Sequence, residues 1–400
     1  MIRGRKRKIM KKLIPIFIVI FLVLFVGRVY HSLYYYSTTS IASTPIEEID
    51  SAMLIVTDTL LLPLDSITSP GVVSNEQYIT FQNKSSLAFL NFVSHYLYFY
   101  DLHNGMLEKT ISLDSLGLSP EDDVQGFCMI SRDSFLIYSY KKSRWALLHE
   151  QRGKLAQGDI GLDKHSFFTV YPFVTTYAPM LYDRKNNQVH FIGPSTALGD
   201  YRDKQRNVLI SLNLQTGQTT NHVTYPEIYW NANWGGLTGF ERLSYCNNPT
   251  EGLLVFSFMA DNEVTIYNLQ TQRTYKASAP SRFFSPLKSF DFHPMLVDFH
   301  KQKIEQYYAD SFAYLNIVYD PFRKMYYRFT DFPATSGQKH NSIILLTDQF
   351  QRIGEVVLPA GKYNINNYFV SEAGFFLKRK DTHNDEFLVY DCFQPERVTE

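Results

Sequence analysis

Cysteine is scarce, with Cys128, Cys246 and Cys392 the only three in 400 residues. They lie far apart, and no C-x-x-C or Cys/His ligand spacing links them, which argues against a structural zinc site or a disulfide framework. The expectation is three buried thiols packed as small apolar groups, with a single disulfide as the alternative. Net charge is lacking as well, since 39 basic residues balance 39 acidic ones. Seven of the basic residues (Arg3, Arg5, Lys6, Arg7, Lys8, Lys11, Lys12) fall in the first twelve positions. Without them 32 basic residues face 39 acidic ones, about −7 for the body. A mildly acidic body has no electrostatic footprint for nucleic acid. Enzyme signatures are also missing: there is no G-x-S-x-G elbow, H-E-x-x-H, P-loop, Gly-rich dinucleotide fingerprint or sialidase-type repeat box. Carboxylates are plentiful but scattered, so no glycosidase pair, catalytic residue or cofactor is assigned.

Aromatic residues are abundant, with 28 Tyr and 31 Phe, and helical periodicity is absent after the N-terminus. Aromatic enrichment among frequent turn residues favours an all-β chain. Residues 96–113 (YLYFYDLHNGMLEKTISL) read as strand, tight turn, strand. The run 96–100 suits a strand buried on both faces, and Asn104-Gly105 predicts a type I′ hairpin turn with φ > 0 at both central positions.

Degenerate copies recur at 98–105, 146–153, 210–217, 265–272, 344–351 and 388–395, each turn opened by a polar residue at 101, 149, 213, 268, 347 or 391. Six irregularly spaced multi-strand units predict a six-bladed β-propeller over residues 53–396, with loop insertions at 194–206 and 288–309 and one short helix within 290–309. The lone β segment 58–64 lacks a local partner. Paired with the strand around 387–390, it would complete the last blade and remove the open edges.

Residues 13–26 (LIPIFIVIFLVLFV) are uninterrupted apolar sequence behind the basic cluster. No small-x-small cleavage pattern follows directly, and no cysteine is near enough for a lipidated N-terminus. The expectation is a cytoplasmic tail (1–12), an uncleaved transmembrane signal anchor (13–33) and a linker (34–52), with the propeller in the periplasm or outside the cell. Secretion after signal cleavage is the alternative. Tyr34, Tyr35 and Tyr36 fit an interfacial aromatic belt.

Residues 317–329 (IVYDPFRKMYYRF), 343–358 (IILLTDQFQRIGEVVL) and 368–377 (YFVSEAGFFL), with LPLDSIT at 62–68, resemble a group of exported six-bladed propellers from Bacteroides-like gut bacteria. That group is known as a domain of unknown function. The resemblance spans roughly 58–391 and implies fold and compartment but no chemistry. Many relatives are lipoproteins, and the missing cysteine means that this chain is anchored differently.

The most site-like segment is 225–242 (YPEIYWNANWGGLTGFER). Trp230 and Trp234 flank Asn231 and Asn233, beside Tyr229 and Arg242. Flat aromatic faces with neighbouring amides suit a sugar, a peptide or a protein interface, and the competing reading is a plug between blades. Arg323 and Arg328 are two further cations, with Arg328 expected to stack on aromatics or pair between blades. Asp291-x-His293 and Asp298-x-His300 have ligand-type residues, but Pro294 interrupts them and no third cluster supports a metal. The leading functional expectation is a non-catalytic binding module for a glycan, peptide or envelope protein. The alternatives are a structural scaffold of an envelope complex and a hydrolase or lyase working at the central channel.

Overall fold

A computed structural model describes residues 2–34, 38–42, 46, 50–82, 84–160, 168–170, 172–193, 195–197, 206–230, 232–334, 339–382 and 385–398. Six four-stranded antiparallel sheets follow one another along the chain: blades 1 (73–112), 2 (124–159), 3 (181–224), 4 (243–278), 5 (313–357) and 6. Blade 6 is built from Tyr363–Val370, Phe375–Arg379, Phe387–Arg397 and, as its outermost strand, Ala52–Pro63. The ring therefore closes as expected. Leu60, Leu61 and Leu62 pair with Tyr390, Val389 and Leu388, in a ladder that runs from Ala52 opposite Arg397 to Pro63 opposite Phe387.

Alternation along Tyr96–Asp101 shows why its residues are apolar on both faces. Leu97 and Phe99 join the core shared with blades 2 and 3, while Tyr98 and Tyr100 pack against Leu62, Phe376 and Tyr390 of blade 6. The two tyrosines also latch the closing segment, with Tyr100 Oη donating to Pro63 O at 2.5 Å and Tyr98 Oη to Asp65 at 2.8 Å.

The Asn104-Gly105 turn departs from the expected type. Only Gly105 has positive φ (68°), and the loop closes through its N–H to Asp101 O at 2.8 Å. The opening side chain, which can accept from backbone N–H groups two or three residues on, shapes the loop. Asp101 caps His103, Asn213 caps Gln215 and Thr216, and Asn268 caps Gln270 and Thr271. The residue four positions after the opener takes the left-handed conformation: Gly105, Gly217 or, less comfortably, Gln272 at φ 55°.

Five of the six expected turns are hairpins, but the sixth is not. Asp391 lies inside the continuous strand Phe387–Arg397, buried, accepting from Thr59 and Tyr363. No hairpin forms there because the outer strand arrives from the other end of the chain.

Helix α1 (Ile2–Tyr34) is continuous through both the basic cluster and the apolar run. Among the described residues no helix is long and apolar enough to cross a membrane. The expected transmembrane anchor at 13–33 is therefore not supported. The backbone after α1 docks on the body. Ser40–Ile41 pairs with Leu287–Lys288, and the His293 N–H donates to Leu33 O at 2.7 Å. The expected short helix is α2 (Lys301–Ala309). All three cysteines are free and buried, and burial pushes the Cys128 thiol up to about 12.

Leu62 is fully buried in the seam between blades 6 and 1, while Leu61 points outward and is exposed. Leu62→Ala should cost about 2–5 kcal/mol in urea unfolding, and Leu61→Ala less than about 0.5 kcal/mol. Equal effects would contradict the register.

Candidate functional site

In a four-stranded meander the connection from each outer strand to the next inner strand emerges at one end of the ring, together with the loop between second and third strands. The three longest connections, 160–180, 225–242 and 279–312, therefore share one face. Residues 174–177 cross the mouth of the channel there. Val174 packs where a Cβ on Gly126 of blade 2 would lie, the Thr176 hydroxyl donates to Glu76 of blade 1, and Tyr177 O accepts from Ser244 Oγ of blade 4 at 2.7 Å.

Glu76 is buried, and its other oxygen accepts from Asn367 and Tyr390 of blade 6. Burial pushes its carboxyl above the ordinary 4.5, an effect partly offset by the nearby Lys378 ammonium. The mouth is thus occupied by the chain's own hydrogen-bonded segment.

Segment 225–242 is largely a plug. Trp234 is 0% exposed in the main core and donates Nε1–H to Ile228 O at 2.8 Å. Tyr229 is buried, donates to Phe240 O and accepts from the Ala260 N–H. Asn233 ties the segment to Phe292 O, and Gly235, at φ 83°, leaves room for Ile304 and Phe290 where a Cβ would collide. Beneath it Arg206 pairs with Glu241 at 3.2 Å, both buried, with Arg206 also stacked on Tyr225. Trp230 is half-buried with its Nε1–H turned inward to Tyr225 O. Asn231 lies outside the described residues.

Arg242 is the exception. It is half-buried, its guanidinium lies 5.0 Å from the Tyr177 ring centroid, and it borders a pocket of about 170 Å³ walled by Phe173, Tyr177, Ile192, Leu237 and Leu243. Among the described residues it has neither a carboxylate partner nor a hydrogen-bond acceptor. Lys339 nearby is paired with Asp331 at 3.0 Å.

Arg323 is committed elsewhere, to Asp320, Ser371 O and Glu372 O. Arg328 behaves as expected of an interblade brace. It is fully buried, 3.7 Å over Tyr314, and donates to Ser257 Oγ and to Asp261 O, Asn262 O and Ala279 O, with burial pulling it down to about 10. Asp291 pairs with Lys303, His293 caps Met295, and His300 packs on Phe292. Among the described residues no group of three or more His, Cys, Asp or Glu side chains is placed to hold a metal ion.

Reasoning from sequence missed the pocket walls supplied by residues 173–192. The signal available was an aromatic, proline-flanked stretch, YPFVTTYAP, too irregular to be a strand. It also missed Glu76, an acid set inside an otherwise strand-like run.

Residues 51–356 match the family described as a domain of unknown function, DUF4221. The chain belongs to this family. A DUF4221 member from Bacteroides vulgatus has a similar structure, with TM-score 0.73 and 20% identity over 87% of this chain and 99% of that one. A putative exported protein from Bacteroides fragilis gives 0.47 at 11% identity, over 88% and 98% of the two chains. Virginiamycin B lyase from Staphylococcus aureus gives 0.43 at 9%, over 84% and 99%. Curated proteins give no match.

A raised carboxyl pKa means that the folded chain holds its proton to higher pH than the unfolded chain does. The contribution is complete below the unfolded value near 4.5 and is lost as pH rises through the folded one. The stability of the wild type relative to Glu76→Gln should therefore fall as pH climbs above about 4.5. A pH-independent difference in urea titrations would contradict a raised Glu76 carboxyl.

Proposed function

We propose that this DUF4221 propeller is a non-catalytic binding module whose ligand is the C-terminal apolar residue of a peptide. The observation that carries the proposal is Arg242, a guanidinium with no acceptor among the described residues, at the rim of a small apolar pocket. A cavity of about 150 Å³ accepts a benzene-sized group, and this one has a similar volume. One apolar side chain would fill it while the terminal carboxylate took two parallel hydrogen bonds from the guanidinium. A neutral glycan is less well served. Its hydroxyls need many convergent polar groups, whereas these walls are apolar, Trp234 is buried and Trp230 spends its N–H internally.

The module is held at a bilayer by α1, with the N-terminus cytoplasmic and the ring exported. Three features support this tether: the basic residues at 3–12, the apolar run 13–26, and a helix whose side chains from Phe17 to Val26 are all exposed and apolar. A helix that is apolar all round requires a cover of lipid or protein.

Peptides ending in Phe or Leu should bind in calorimetry, and their C-terminal amides should bind at least about tenfold more weakly, the scale of losing charge-assisted hydrogen bonds. Arg242→Gln should abolish the difference between acid and amide. Equal binding of both forms to the wild type would sink the proposal.

A further inference from the structure

Among the described residues, nothing covers several apolar side chains of the connection 279–312. Phe299 is 84% exposed, Met295 64% and, from the neighbouring connection, Leu237 58%. Met295 and Phe299 stand four residues apart in the helical turns Pro294–Leu296 and Asp298–His300 that lead into α2. Gly236, next to Leu237, faces Val297 at 3.8 Å from its Cβ position, so the two connections form one patch. This patch lies where α1 leaves the body. Leu33 O accepts from the His293 N–H at 2.7 Å, two residues before Met295, and Thr39 O accepts from the Ser289 N–H at 2.9 Å. Backbone hydrogen bonds therefore hold the helix end and the patch on one rim.

We infer that this rim is a second membrane contact: Phe299 and Met295 insert into the interface of the bilayer that α1 enters, so that the edge of the ring bearing them lies towards the lipid. The inference rests on the tether reading for its proximity, and the occupant follows from continuity with α1. Wedge residues of this kind reach about 5–10 Å into the headgroup and acyl boundary. Lys301 and Lys303 border the patch, but Glu305 and Asp291 balance them, so apolar insertion drives the contact and attraction to anionic lipid does not. The contact should then persist at high salt.

The test uses the full chain in phosphatidylethanolamine–phosphatidylglycerol vesicles with brominated acyl chains. The native cysteines are buried, so a fluorophore can be placed at one introduced cysteine: Asp298→Cys beside the patch, Phe21→Cys in α1, or Gln270→Cys on the opposite face. The expected result is a loss of fluorescence at 298 and 21, none at 270, and no change on adding salt. Adding Met295→Ser and Phe299→Ser should remove the loss at 298 and leave that at 21. Quenching at 21 without quenching at 298 would overturn the inference while leaving the tether intact, and would assign the patch to a protein partner. Silence at both positions would overturn the inference and the tether together. Equal quenching at all three would overturn the preferred orientation.

Discussion

The ladder between Ala52–Pro63 and Phe387–Arg397 is the constraint on which the rest depends. The cores of this protein lie between blades, so every blade needs a neighbour on each face. An open ring would expose one face of blade 1 and one of blade 6 together with the edge of Phe387–Arg397. The N-terminal strand covers that edge, and its continuation is fixed by the Tyr98 and Tyr100 hydroxyls. The unbroken aromatic strand of blade 1 thus fills two interblade cores and fastens the closing segment. Even the neighbouring turn takes part, because a Cβ on Gly105 would come within 3.2 Å of Leu61 O.

Once the ring is closed, buried charge holds its loops. Arg328 reaches from blade 5 to the Asp261, Asn262 and Ala279 carbonyls of blade 4 and fixes that corner. The Arg206–Glu241 pair does the same beneath segment 225–242. Replacing such groups by apolar side chains can leave overall stability intact elsewhere, whereas removing one partner leaves an uncompensated group. Their effect here is positional, since each fixes one connection on one face.

Fold was far more legible in the sequence than site, for a physical reason. Blade periodicity depends on local chemistry: an Asp or Asn that caps its own loop, a residue that tolerates positive φ, and alternating apolar positions. The turn at Asp101 and those at Asn213 and Asn268 are written in consecutive residues, and so is their register. The failure at Asp391 is equally instructive. Its local pattern resembles a turn opener, but its partner strand lies more than three hundred residues away, and the long-range pairing wins. The tryptophan-rich segment was open to two readings because an aromatic cluster reads identically whether it faces a ligand or the core. Trp234 faces the core, while Leu237 and Arg242 border the pocket. The pocket itself could not be read from any one stretch, because its walls come from residues 173–192 and 237–243, brought together only by adjacent blades 3 and 4.

The same topology decides where recognition can occur. A propeller offers its channel, its two faces and its rim, and here residues 174–177 fill the channel mouth with Glu76 as their anchor. On the face of short turns, Asp101, Asn213 and Asn268 spend their side chains on capping their own loops. On the face of long connections, among the described residues, Arg242 has no acceptor and Phe299 and Met295 have no cover. Uncommitted charge and uncommitted apolar surface both oppose stability in an isolated fold. The proposed recognition rests on their coincidence on the face where chain was added beyond the needs of the ring.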